Sequence, residues 1–347
     1  MIKEALFGKS FLELEQVAEC LGLPPYTGRQ VAAWLYGSDV DTIDGMTNLS
    51  KAARGLLQQN FTMGFITPEE VRTSSDGTKK YLFAVQGGGY VESAYIPEKK
   101  RATLCLSTQV GCRMGCRFCM TGRQGFHGQL TAGEILNQLR SLPERRAVTN
   151  IVFMGMGEPL DNLANVLKSL EILTSSWGFA MSPRRLTVST IGLIPGIKKF
   201  LEKSSCHLAV SLHSPFPDER LQLMPVEHAY PLRQVLDTIR ACDVGRQRRI
   251  SFEYILFSGV NDTPRHVKEL ARLLNGIRCR VNLIRFHSIP GIDLQSPDDA
   301  KVIWFRDALN AKGITATVRA SRGEDIQAAC GLLSTAARME ESNDQSR

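Results

Sequence analysis

Residues 105–120 read Cys-Leu-Ser-Thr-Gln-Val-Gly-Cys-Arg-Met-Gly-Cys-Arg-Phe-Cys-Met. Cys112, Cys116 and Cys119 stand there in a C-x3-C-x2-C arrangement. Three thiolates on one short loop can converge on a single inorganic centre, and iron–sulfur clusters are held by such thiolates. A cubane cluster normally takes four, so three leave one iron open to a substrate or cofactor. The stretch therefore predicts an iron–sulfur site with an open position.

Two other interpretations of these cysteines are a structural zinc site and a disulfide framework. Structural zinc is usually closed by four ligands, often as paired C-x2-C units. The chain has no second C-x2-C unit, although His127 could serve as a fourth ligand. A disulfide framework is disfavoured in a chain of 347 residues with 9 cysteines and no secretory segment. The iron–sulfur interpretation is therefore preferred.

Longer motifs carry a family resemblance. The cysteine loop resembles the signature of the radical S-adenosylmethionine (SAM) superfamily. Four further segments resemble the RlmN family, the dual-specificity ribosomal and transfer RNA adenine-C2 methyltransferases. These are residues 91–97 (Val-Glu-Ser-Ala-Tyr-Ile-Pro), 107–112 (Ser-Thr-Gln-Val-Gly-Cys), 154–160 (Met-Gly-Met-Gly-Glu-Pro-Leu) and 325–331 (Asp-Ile-Gln-Ala-Ala-Cys-Gly). The resemblance covers nearly the whole chain, and it implies a 4Fe-4S cluster and SAM as cofactors.

Composition sets broad limits. The chain is 43% hydrophobic and 22% charged, so it can bury a substantial core. Its net charge of +7 suits a polyanionic partner, but many proteins carry such a charge without one. The first residues lack the basic and apolar regions of a signal peptide, and no apolar run approaches a membrane span. We therefore expect a cytoplasmic protein without membrane contact, where thiols stay reduced.

Hydrophobic periodicity predicts where the chain forms helices and strands. Strands are predicted at 71–74, 80–85, 90–96, 103–107, 151–154, 185–189, 208–212, 250–256, 281–286 and 315–318. Helices are predicted at 11–21, 28–36 with Thr27 as its cap, 49–60, 131–142, 163–173, 195–201, 232–241, 264–274 and 302–309. The change of period divides the chain into several parts. We expect an N-terminal helical accessory domain (1–65), a β-rich connecting segment (66–97), a barrel (98–335) and a polar tail (336–347).

Alternation of strands and helices implies parallel strands joined by right-handed crossovers. About six such units predict an α/β protein with an incomplete barrel. The resemblance implies that this is the partial (β/α)6 radical SAM barrel, with a small N-terminal helical accessory domain. In such folds the active site lies at the carboxyl ends of the strands. The chemical motifs of this chain fall just after predicted strands, as that rule requires.

Gly157 and Glu158 follow the strand predicted at 151–154. Glycines at such a place let a ligand approach the backbone, and a carboxylate can accept hydrogen bonds from an ammonium group. A tight turn with a solvated glutamate is the alternative. The resemblance implies that Gly157 and Glu158 hold the amino group of SAM.

Polar residues stand at the ends of three further predicted strands, 185–189, 208–212 and 281–286. Ser189, Ser211 and His213 are placed to point into a barrel mouth, although strand-end capping is an alternative interpretation. The resemblance implies that Ser189, Ser211, Leu212 and His213 bind SAM. His287 stands where the family commonly has Asn, and it is expected to donate a hydrogen bond to the adenosine part.

Two isolated cysteines receive catalytic roles from the resemblance. Cys330 is the residue that becomes S-methylated. Cys105 is the thiol that resolves a covalent adduct through a transient disulfide with Cys330. An isolated cysteine is usually a small buried hydrophobe. This is our interpretation of the four others, Cys20, Cys206, Cys242 and Cys279.

The resemblance implies a two-stage reaction. Adenine C2 is an electron-poor carbon, so direct nucleophilic methyl transfer from SAM would fail there. One SAM methylates Cys330, and a second yields a 5′-deoxyadenosyl radical that takes a hydrogen from that methyl group. The resulting carbon radical adds to C2, and Cys105 then releases the product. Glu92 stands at the position that the family uses as a proton acceptor. The alternative interpretation is an ordinary strand glutamate exposed to solvent.

The implied partners are 23S rRNA at the peptidyl transferase centre and tRNA at the adenosine 3′ of the anticodon. Basic clusters at 99–101, 145–146, 184–185 and 246–249 could contact phosphate and make binding salt-dependent. The target base would have to be unstacked to reach a barrel interior. A small one-electron donor such as flavodoxin or ferredoxin is also expected, and the protein is expected to be a monomer.

Two rival functions share part of this pattern. The first is a Cfr-type methyltransferase acting on adenine C8, which would share the cluster, Cys105 and Cys330. Pro159 after Glu158 resembles the C2 enzymes, because the resistance enzymes tend to carry Ala there. The second is a zinc-stabilised RNA-binding protein without catalysis, which leaves Cys105, Cys330 and the glycine–glutamate motif unexplained.

Overall fold

The structure is a computed structural model that describes residues 3–245 and 249–336. Apart from Ala336, the predicted polar tail lies outside the described residues. Arg246 and Arg248 of the basic cluster at 246–249 also lie outside them.

The N-terminal part is largely helical, as predicted. It contains β1 (Glu4–Ala5), α1 (Phe11–Cys20), α2 (Tyr26–Gly37), a short 3-10 helix (Ile43–Gly45), α3 (Lys51–Asn60) and β2 (Phe61–Thr62). The predicted cap at Thr27 is wrong, because α2 begins at Tyr26 and Thr27 is buried inside it. Pro25 precedes the helix with φ −55° and ψ −35°, and the fixed φ of proline favours an early helix start.

The rest of the chain alternates between strands and helices. The elements are β3 (Glu70–Thr73), β4 (Lys79–Ala84), β5 (Tyr90–Pro97), β6 (Ala102–Cys105), β7 (Gln109–Gly111), α4 (Met120–Gln124), β8 (Phe126–Gln129), α5 (Ala132–Arg140), β9 (Asn150–Phe153), α6 (Leu163–Thr174), β10 (Leu186–Thr190), α7 (Ile194–Lys203), β11 (His207–Ser211), α8 (Pro217–Leu223), α9 (Val226–Ala229), α10 (Leu232–Ala241), β12 (Ile250–Leu256), α11 (Pro264–Leu274), β13 (Cys279–Arg285), α12 (Asp299–Ala311) and β14 (Ala316–Val318). Short 3-10 helices lie at Arg145–Ala147 and Pro183–Arg185.

One ten-stranded sheet organises these elements. Its strand order is β14-β13-β12-β11-β10-β9-β6-β5-β4-β3. The strands from β6 to β14 in this sheet are parallel, whereas β5, β4 and β3 continue it in antiparallel pairing. The predicted partial barrel is confirmed, and the predicted connecting segment at 66–97 supplies strands to the same sheet.

Strand residues alternate between the helical layer and the interior of the barrel. In β10, Leu186 and Val188 are buried in the core, whereas Thr187 and Ser189 line interior cavities. This follows from the period of two in a β-strand. The helices cover the outer face, so the apolar core lies between helices and sheet and the interior keeps polar side chains.

Polar contacts tie the β3–β4 turn to the segment after β14. Ser74 Oγ donates to Asp325 Oδ1 at 2.6 Å, and the backbone N–H of Ser75 donates to Asp325 Oδ2 at 3.0 Å. The N–H of Gly323 donates to Asp76 Oδ2 at 3.0 Å. These contacts bring the two ends of the sheet together and fix the segment that leads to Cys330.

The N-terminal part packs on α5 through two glycines. A Cβ at Gly133 would lie 2.8 Å from the carbonyl oxygen of Phe7, and a Cβ at Gly8 would lie 2.4 Å from the Cα of Gly133. Arg140 at the end of α5 donates to the carbonyl oxygen of Val40 at 3.0 Å. The accessory domain and the barrel therefore share one closely packed interface. No helix in the described part of the chain is long and apolar enough to cross a membrane.

We predict opposite effects of the same change at two helical glycines. Gly133→Ala should lower the free energy of unfolding by about 1–3 kcal/mol, because the methyl group meets the backbone of Phe7. Gly55→Ala in α3 is the matched control, since nothing lies within 4 Å of its added Cβ. It should raise the free energy by about 0.5–1 kcal/mol. Urea unfolding measures both, and equal effects at the two positions would contradict the close packing.

Candidate active site

The cysteine loop is closed at its base by a short hairpin. β7 and β8 pair antiparallel, with an irregularity between Val110 and Gly111. The N–H of Cys112 donates to the carbonyl oxygen of Gly125 at 2.8 Å, so the two ends of the loop meet. A Cβ at Gly111, where φ is +71°, would lie 1.7 Å from that same oxygen. Only glycine therefore fits at the start of the loop.

The three loop cysteines line one cavity of about 150 Å³ at the carboxyl ends of the barrel strands. Cys112 and Cys116 are buried, and Cys119 is partly buried. Burial raises the pKa of the Cys112 thiol to about 12, and burial with the neighbouring thiols also raises the pKa values of Cys116 and Cys119. If these buried thiols lost their protons, the resulting anions would repel one another. A cationic metal centre would stabilise them as thiolates. The donor set therefore fits an iron–sulfur cluster.

The zinc alternative requires ligands that converge on one ion. Among the residues that the structure describes, no three His, Cys, Asp or Glu side chains form a group that could hold a single metal ion. His127 is exposed, and its Nε2 lies 3.2 Å from the carbonyl oxygen of Gln124. In a cubane each thiolate binds its own iron, so the cluster does not require the sulfurs to meet at one point.

The glycine–glutamate motif lies against the segment that follows β6. A Cβ at Gly157, where φ is +97°, would lie 2.5 Å from the Cβ of Gln109. A Cβ at Gly155 would lie 2.7 Å from the carbonyl oxygen of Leu106. The N–H of Glu158 donates to Gln109 Oε1 at 2.8 Å. The glycines are thus required by the approach of two backbone segments, and not only by a ligand.

Glu158 is buried at the edge of the same cavity. Its Oε1 accepts from the N–H of Leu160 at 3.0 Å, and its Oε2 accepts from the N–H of Ile191 at 2.9 Å. Burial raises the pKa of this carboxyl to about 7, although these hydrogen bonds by themselves lower it. A carboxylate has about four lone-pair sites, so it can still accept from a ligand.

The other predicted SAM contacts divide between two cavities and the core. Ser189, Ser211 and His213 line the cavity of the cysteine loop. Leu212 is fully buried in the hydrophobic core, so its side chain faces away from that cavity. His287 lines a second, larger cavity, and its Nδ1 lies 3.2 Å from Glu324 Oε1.

His213 is held in a strained conformation. Its φ is +56°, its Nδ1 accepts from the N–H of Ile255 at 3.0 Å, and its ring meets Phe118 edge-on with centroids 4.7 Å apart. Burial lowers the pKa of its imidazole to about 3, so the ring is neutral. A non-glycine residue at positive φ is uncommon and is kept only where the surroundings fix it.

Arg220 fixes this edge of the barrel, and nothing in the sequence pattern singled it out. It is fully buried, and its guanidinium donates to the carbonyl oxygens of Ile191 at 2.9 Å, Leu212 at 3.1 Å and Ser211 at 3.2 Å. Glu227 pairs with it and is also buried. One cation therefore connects the chain just after β10 with the end of β11, both of which border the cavity.

The two isolated cysteines both line the second cavity, which has a volume of about 940 Å³. Cys105 at the end of β6 is buried, Cys330 after β14 is exposed, and both thiols are free. Burial raises the pKa of the Cys105 thiol to about 12. Cys330 also lines the cavity of the cysteine loop, so the two cavities adjoin at this residue.

Arg319 and Glu253 form a polar group beside the two thiols, and sequence reasoning missed both. Arg319 lines both cavities, and its Nη1 lies 3.4 Å from Glu253 Oε2. Glu253 Oε1 accepts from Ser251 at 3.0 Å and from Asn282 at 2.8 Å. The Cys330 thiolate, followed by the charges of Glu253 and Cys105, raises the pKa of Arg319. A permanent cation is therefore fixed next to Cys105 and Cys330.

Glu92 is buried on β5 and does not belong to the lining of either cavity. Its Oε1 lies 2.8 Å from Lys80 Nζ, and its Oε2 accepts from the N–H of Ser334 at 3.0 Å. Burial raises the pKa of this carboxyl, while Lys80 opposes the shift. The structure thus joins Glu92 to the segment that follows Cys330.

The larger cavity runs through the barrel to the amino ends of the strands. Basic residues line it there, and they are Lys99, Lys100, Arg101, Arg184, Arg185, Arg249 and Arg280. We call this end of the cavity the basic mouth. The cluster at 145–146 is different, because Arg145 and Arg146 both pair with Asp39 of the N-terminal part.

Comparison with known proteins places this arrangement in a class. Residues 106–274 match the family model of the radical SAM superfamily, and residues 5–63 match that of the ribosomal RNA large subunit methyltransferase N-terminal domain. A crystal structure of a radical SAM methyltransferase from Sphaerobacter thermophilus superposes with a TM-score of 0.88, at 39% identity over 95% of this chain and 99% of that one. Fold and site together define a radical SAM methyltransferase.

The relatives in sequence are closer still. A protein from Parabacteroides distasonis, named as a probable dual-specificity RNA methyltransferase RlmN, is 58% identical over 96% of this chain and 97% of its own length. The dual-specificity RNA methyltransferase RlmN of Syntrophus aciditrophicus is 44% identical over 94% of each chain. The chain belongs to the RlmN family, which confirms the resemblance found in the sequence.

We predict that Arg220→Met will lower the free energy of unfolding by about 3–5 kcal/mol, because it leaves the buried Glu227 carboxylate without its cation. The double variant Arg220→Met/Glu227→Leu is the matched control. Removing both charges should recover part of the loss, although three carbonyl oxygens stay without their donor. Denaturant unfolding measures both variants. A cost below about 1 kcal/mol for Arg220→Met would contradict the role of this ion pair.

Proposed function

We propose that the protein methylates C2 of adenosine in 23S rRNA, at the peptidyl transferase centre, and in tRNA, 3′ of the anticodon. One observation carries the proposal: Cys105 and Cys330 face a single cavity that adjoins the cysteine loop at Cys330. The relatives named as dual-specificity RNA methyltransferases support RNA as the substrate.

In this proposal Cys112, Cys116 and Cys119 hold a 4Fe-4S cluster, and one iron stays open for SAM. When bound, the cluster supplies the electron that cleaves SAM into methionine and a 5′-deoxyadenosyl radical. Glu158 accepts from the amino group of SAM beside Gly157, where backbone donors already orient the carboxylate.

Five further positions complete the proposed SAM site. Ser189, Ser211 and His213 contact SAM from the cavity wall. Leu212 can take part only through its backbone, because its side chain is in the core. His287 contacts the adenosine part from the larger cavity.

Cys330 carries the methyl group. Its exposed thiolate attacks the methyl carbon of one SAM, so that S-adenosylhomocysteine leaves and an S-methyl thioether forms. After this methyl group has lost one hydrogen atom, its carbon bonds to C2 of the adenine. The adduct radical then gives up one electron, which the oxidised cluster held by Cys112, Cys116 and Cys119 would take back. It also gives up the C2 proton, and Glu92 is the proposed acceptor of that proton. Two SAM molecules are used in each turnover.

Cys105 releases the product. Its thiolate attacks the sulfur of Cys330, a disulfide forms, and the carbon–sulfur bond to the base breaks. The electron pair of that bond stays on the methylene carbon, which takes up a proton to become the methyl group. Arg319 beside both sulfurs stabilises the thiolate that attacks. The buried position of Cys105 keeps this thiol from other reactions until the adduct is present.

The larger cavity suits a nucleotide that has left its stack. Polar side chains of the strands line it, among them Asn150, Thr187 and Asn282. The basic mouth supplies positive charge for the phosphates on either side of the target. An adenine taken out of its stack would thus reach Cys330 from within the barrel.

We predict that Cys105→Ala will accumulate a covalent protein–RNA adduct, because it can form the carbon bond to adenine but cannot break the bond to Cys330. Cys330→Ala should give neither adduct nor product. The measurement is anaerobic turnover of reconstituted protein with SAM, dithionite and each RNA, followed by denaturing gels and nucleoside mass spectrometry against 2-methyladenosine and 8-methyladenosine standards.

Cys279→Ala is the matched control, because Cys279 does not line either cavity. It should form 2-methyladenosine as the unchanged protein does. Formation of 8-methyladenosine would replace the C2 assignment by C8. Methylation by Cys330→Ala at the wild-type rate, or a colourless zinc protein that leaves SAM intact, would overturn the proposal.

A further inference from the structure

Two charged side chains stand where the two cavities meet. Of the described residues that line both cavities, Glu253 and Arg319 are the ones with an acidic or a basic side chain, and Cys330 belongs to the same group. The proposed reaction uses Arg319 at the thiolate but gives Glu253 no role. A buried carboxylate is costly unless other groups bind it, so its place beside the reacting thiol points to a function.

Glu253 is fixed by a polar row that crosses three neighbouring strands. Glu253 on β12 stands beside Asn282 on β13, and Asn282 stands beside Thr317 on β14. Asn282 Nδ2 donates to Glu253 Oε1 at 2.8 Å, and Thr317 Oγ1 donates to Asn282 Oδ1 at 3.1 Å. Ser251 Oγ also donates to Oε1, at 3.0 Å. The row therefore engages one carboxylate oxygen and leaves Oε2 on the side of Arg319.

Arg319 has N–H groups that no described residue engages. Its Nη1 lies 3.4 Å from Glu253 Oε2 and 3.4 Å from Met154 Sδ, which are long contacts. Within the described residues, its Nε and Nη2 atoms have no hydrogen-bond partner. A guanidinium carries five N–H donors, and this side chain is 30% exposed where the cavities meet. Free donors therefore face the space that a substrate base would fill.

The three groups form a series of sulfur, cation and carboxylate. The Cys330 thiolate is the main cause that raises the pKa of Arg319, and Glu253 is the carboxylate that Arg319 contacts. Adenine carries a matching series along one edge, in the order C2, N1 and the N6 amino group. N1 accepts a hydrogen bond, and the amino group donates one. A base with C2 at Cys330 would thus bring an acceptor to the cation and a donor to the carboxylate.

We propose that Arg319 and Glu253 bind the Watson–Crick edge of the target adenine: Arg319 donates to N1, and Glu253 Oε2 accepts from the N6 amino group. The inference rests on the proposed function, because it requires an adenine whose C2 faces Cys330. Enzymes that take a base out of its stack commonly bind it by hydrogen bonds to this edge. A charge-assisted bond to N1 also draws electron density from the ring, which favours addition of the carbon radical at C2.

The same pair would reject guanine. Guanine has an N–H at N1 and a carbonyl oxygen at C6, so a donor would meet Arg319 and an acceptor would meet Glu253. Its C2 also carries an amino group. Unpaired polar groups in a site built for hydrogen bonding give strong discrimination, so the pair accounts for adenine specificity through mismatch as well as through attraction.

The test changes single atoms of the base and single side chains. Four tRNAs are ligated from synthetic halves and carry adenosine, purine riboside, 1-deazaadenosine or 7-deazaadenosine 3′ of the anticodon. Reconstituted holoenzyme is prepared as wild type, Glu253→Gln, Arg319→Met and Glu269→Gln. Glu269 is the matched control, because it pairs with Arg272 on α11 and does not line either cavity. Dissociation constants are measured for every pair, and kcat/KM is measured for adenosine and purine riboside.

We expect wild type to have a kcat/KM about 10- to 100-fold lower for purine riboside, which lacks the amino group. Glu253→Gln should reduce this preference to less than about threefold, mainly by lowering kcat/KM for adenosine. Ser251 and Asn282 both donate to Oε1, so the amide oxygen takes that place and the amide NH2 then faces the substrate amino group. Glu269→Gln should keep the wild-type preference.

N1 is tested by binding, because its replacement by carbon also changes the reactivity of C2. Wild type should bind the 1-deazaadenosine tRNA about tenfold more weakly than the adenosine tRNA, and Arg319→Met should bind the two alike. The 7-deazaadenosine tRNA should bind wild type as the adenosine tRNA does, because N7 lies on the other edge. S-methylation of Cys330, measured by protein mass spectrometry, should be unchanged in Glu253→Gln.

Three results would overturn the proposal. Wild type could use purine riboside as well as adenosine, or 7-deazaadenosine could lose as much affinity as 1-deazaadenosine. Alternatively, Glu253→Gln could keep the preference while S-methylation of Cys330 falls, which would assign Glu253 to SAM. Failure of the proposed function is a separate result, in which wild type forms no methyladenosine on the adenosine tRNA, whatever its order of affinities for the four tRNAs.

Discussion

The approach of the chain after β9 to the chain after β6 is the constraint on which the site depends. The N–H of Gly155 donates to the carbonyl oxygen of Leu106 at 3.0 Å. The N–H of Thr108 donates to the carbonyl oxygen of Met156 at 2.8 Å. These bonds continue the pairing of β6 with β9 past the ends of the two strands. One segment directly follows Cys105 and leads into the cysteine loop, and the other contains Gly157 and Glu158. The same few hydrogen bonds therefore set the positions of Cys105, the cysteine loop and Glu158.

Much of this fold could be predicted from the sequence, because buried strands and amphipathic helices differ in period. The strand at 250–256 and the helix at 264–274 have the predicted bounds. The hairpin of β7 and β8 could not be predicted in this way, since it is too short for periodicity and depends on a contact between Gly111 and Gly125. Arg220 was missed for a related reason. It follows Asp218 and Glu219 in a polar stretch, and only the tertiary structure shows that it is buried under three carbonyl oxygens.

The basic mouth and the cysteine loop lie at opposite ends of the barrel strands. The basic mouth opens into a cavity with polar walls that ends at Cys105 and Cys330. Cys112 and Cys116 are buried beside the smaller cavity at the carboxyl ends of the strands. A polyanionic substrate would therefore enter the barrel without covering the cysteine loop. Net charge alone could not indicate this place, because only the fold brings these basic residues to one end of the barrel.

The central claim is that the methyl group reaches the RNA by way of Cys330. The most direct measurement uses SAM with a trideuterated methyl group and follows the methyladenosine product by mass spectrometry. Passage through Cys330 removes one deuterium before carbon–carbon bond formation and replaces it with a proton at release. The account therefore predicts two deuterium atoms in the methyl group of the product. A methyl group with all three would show direct transfer from SAM and would contradict the account.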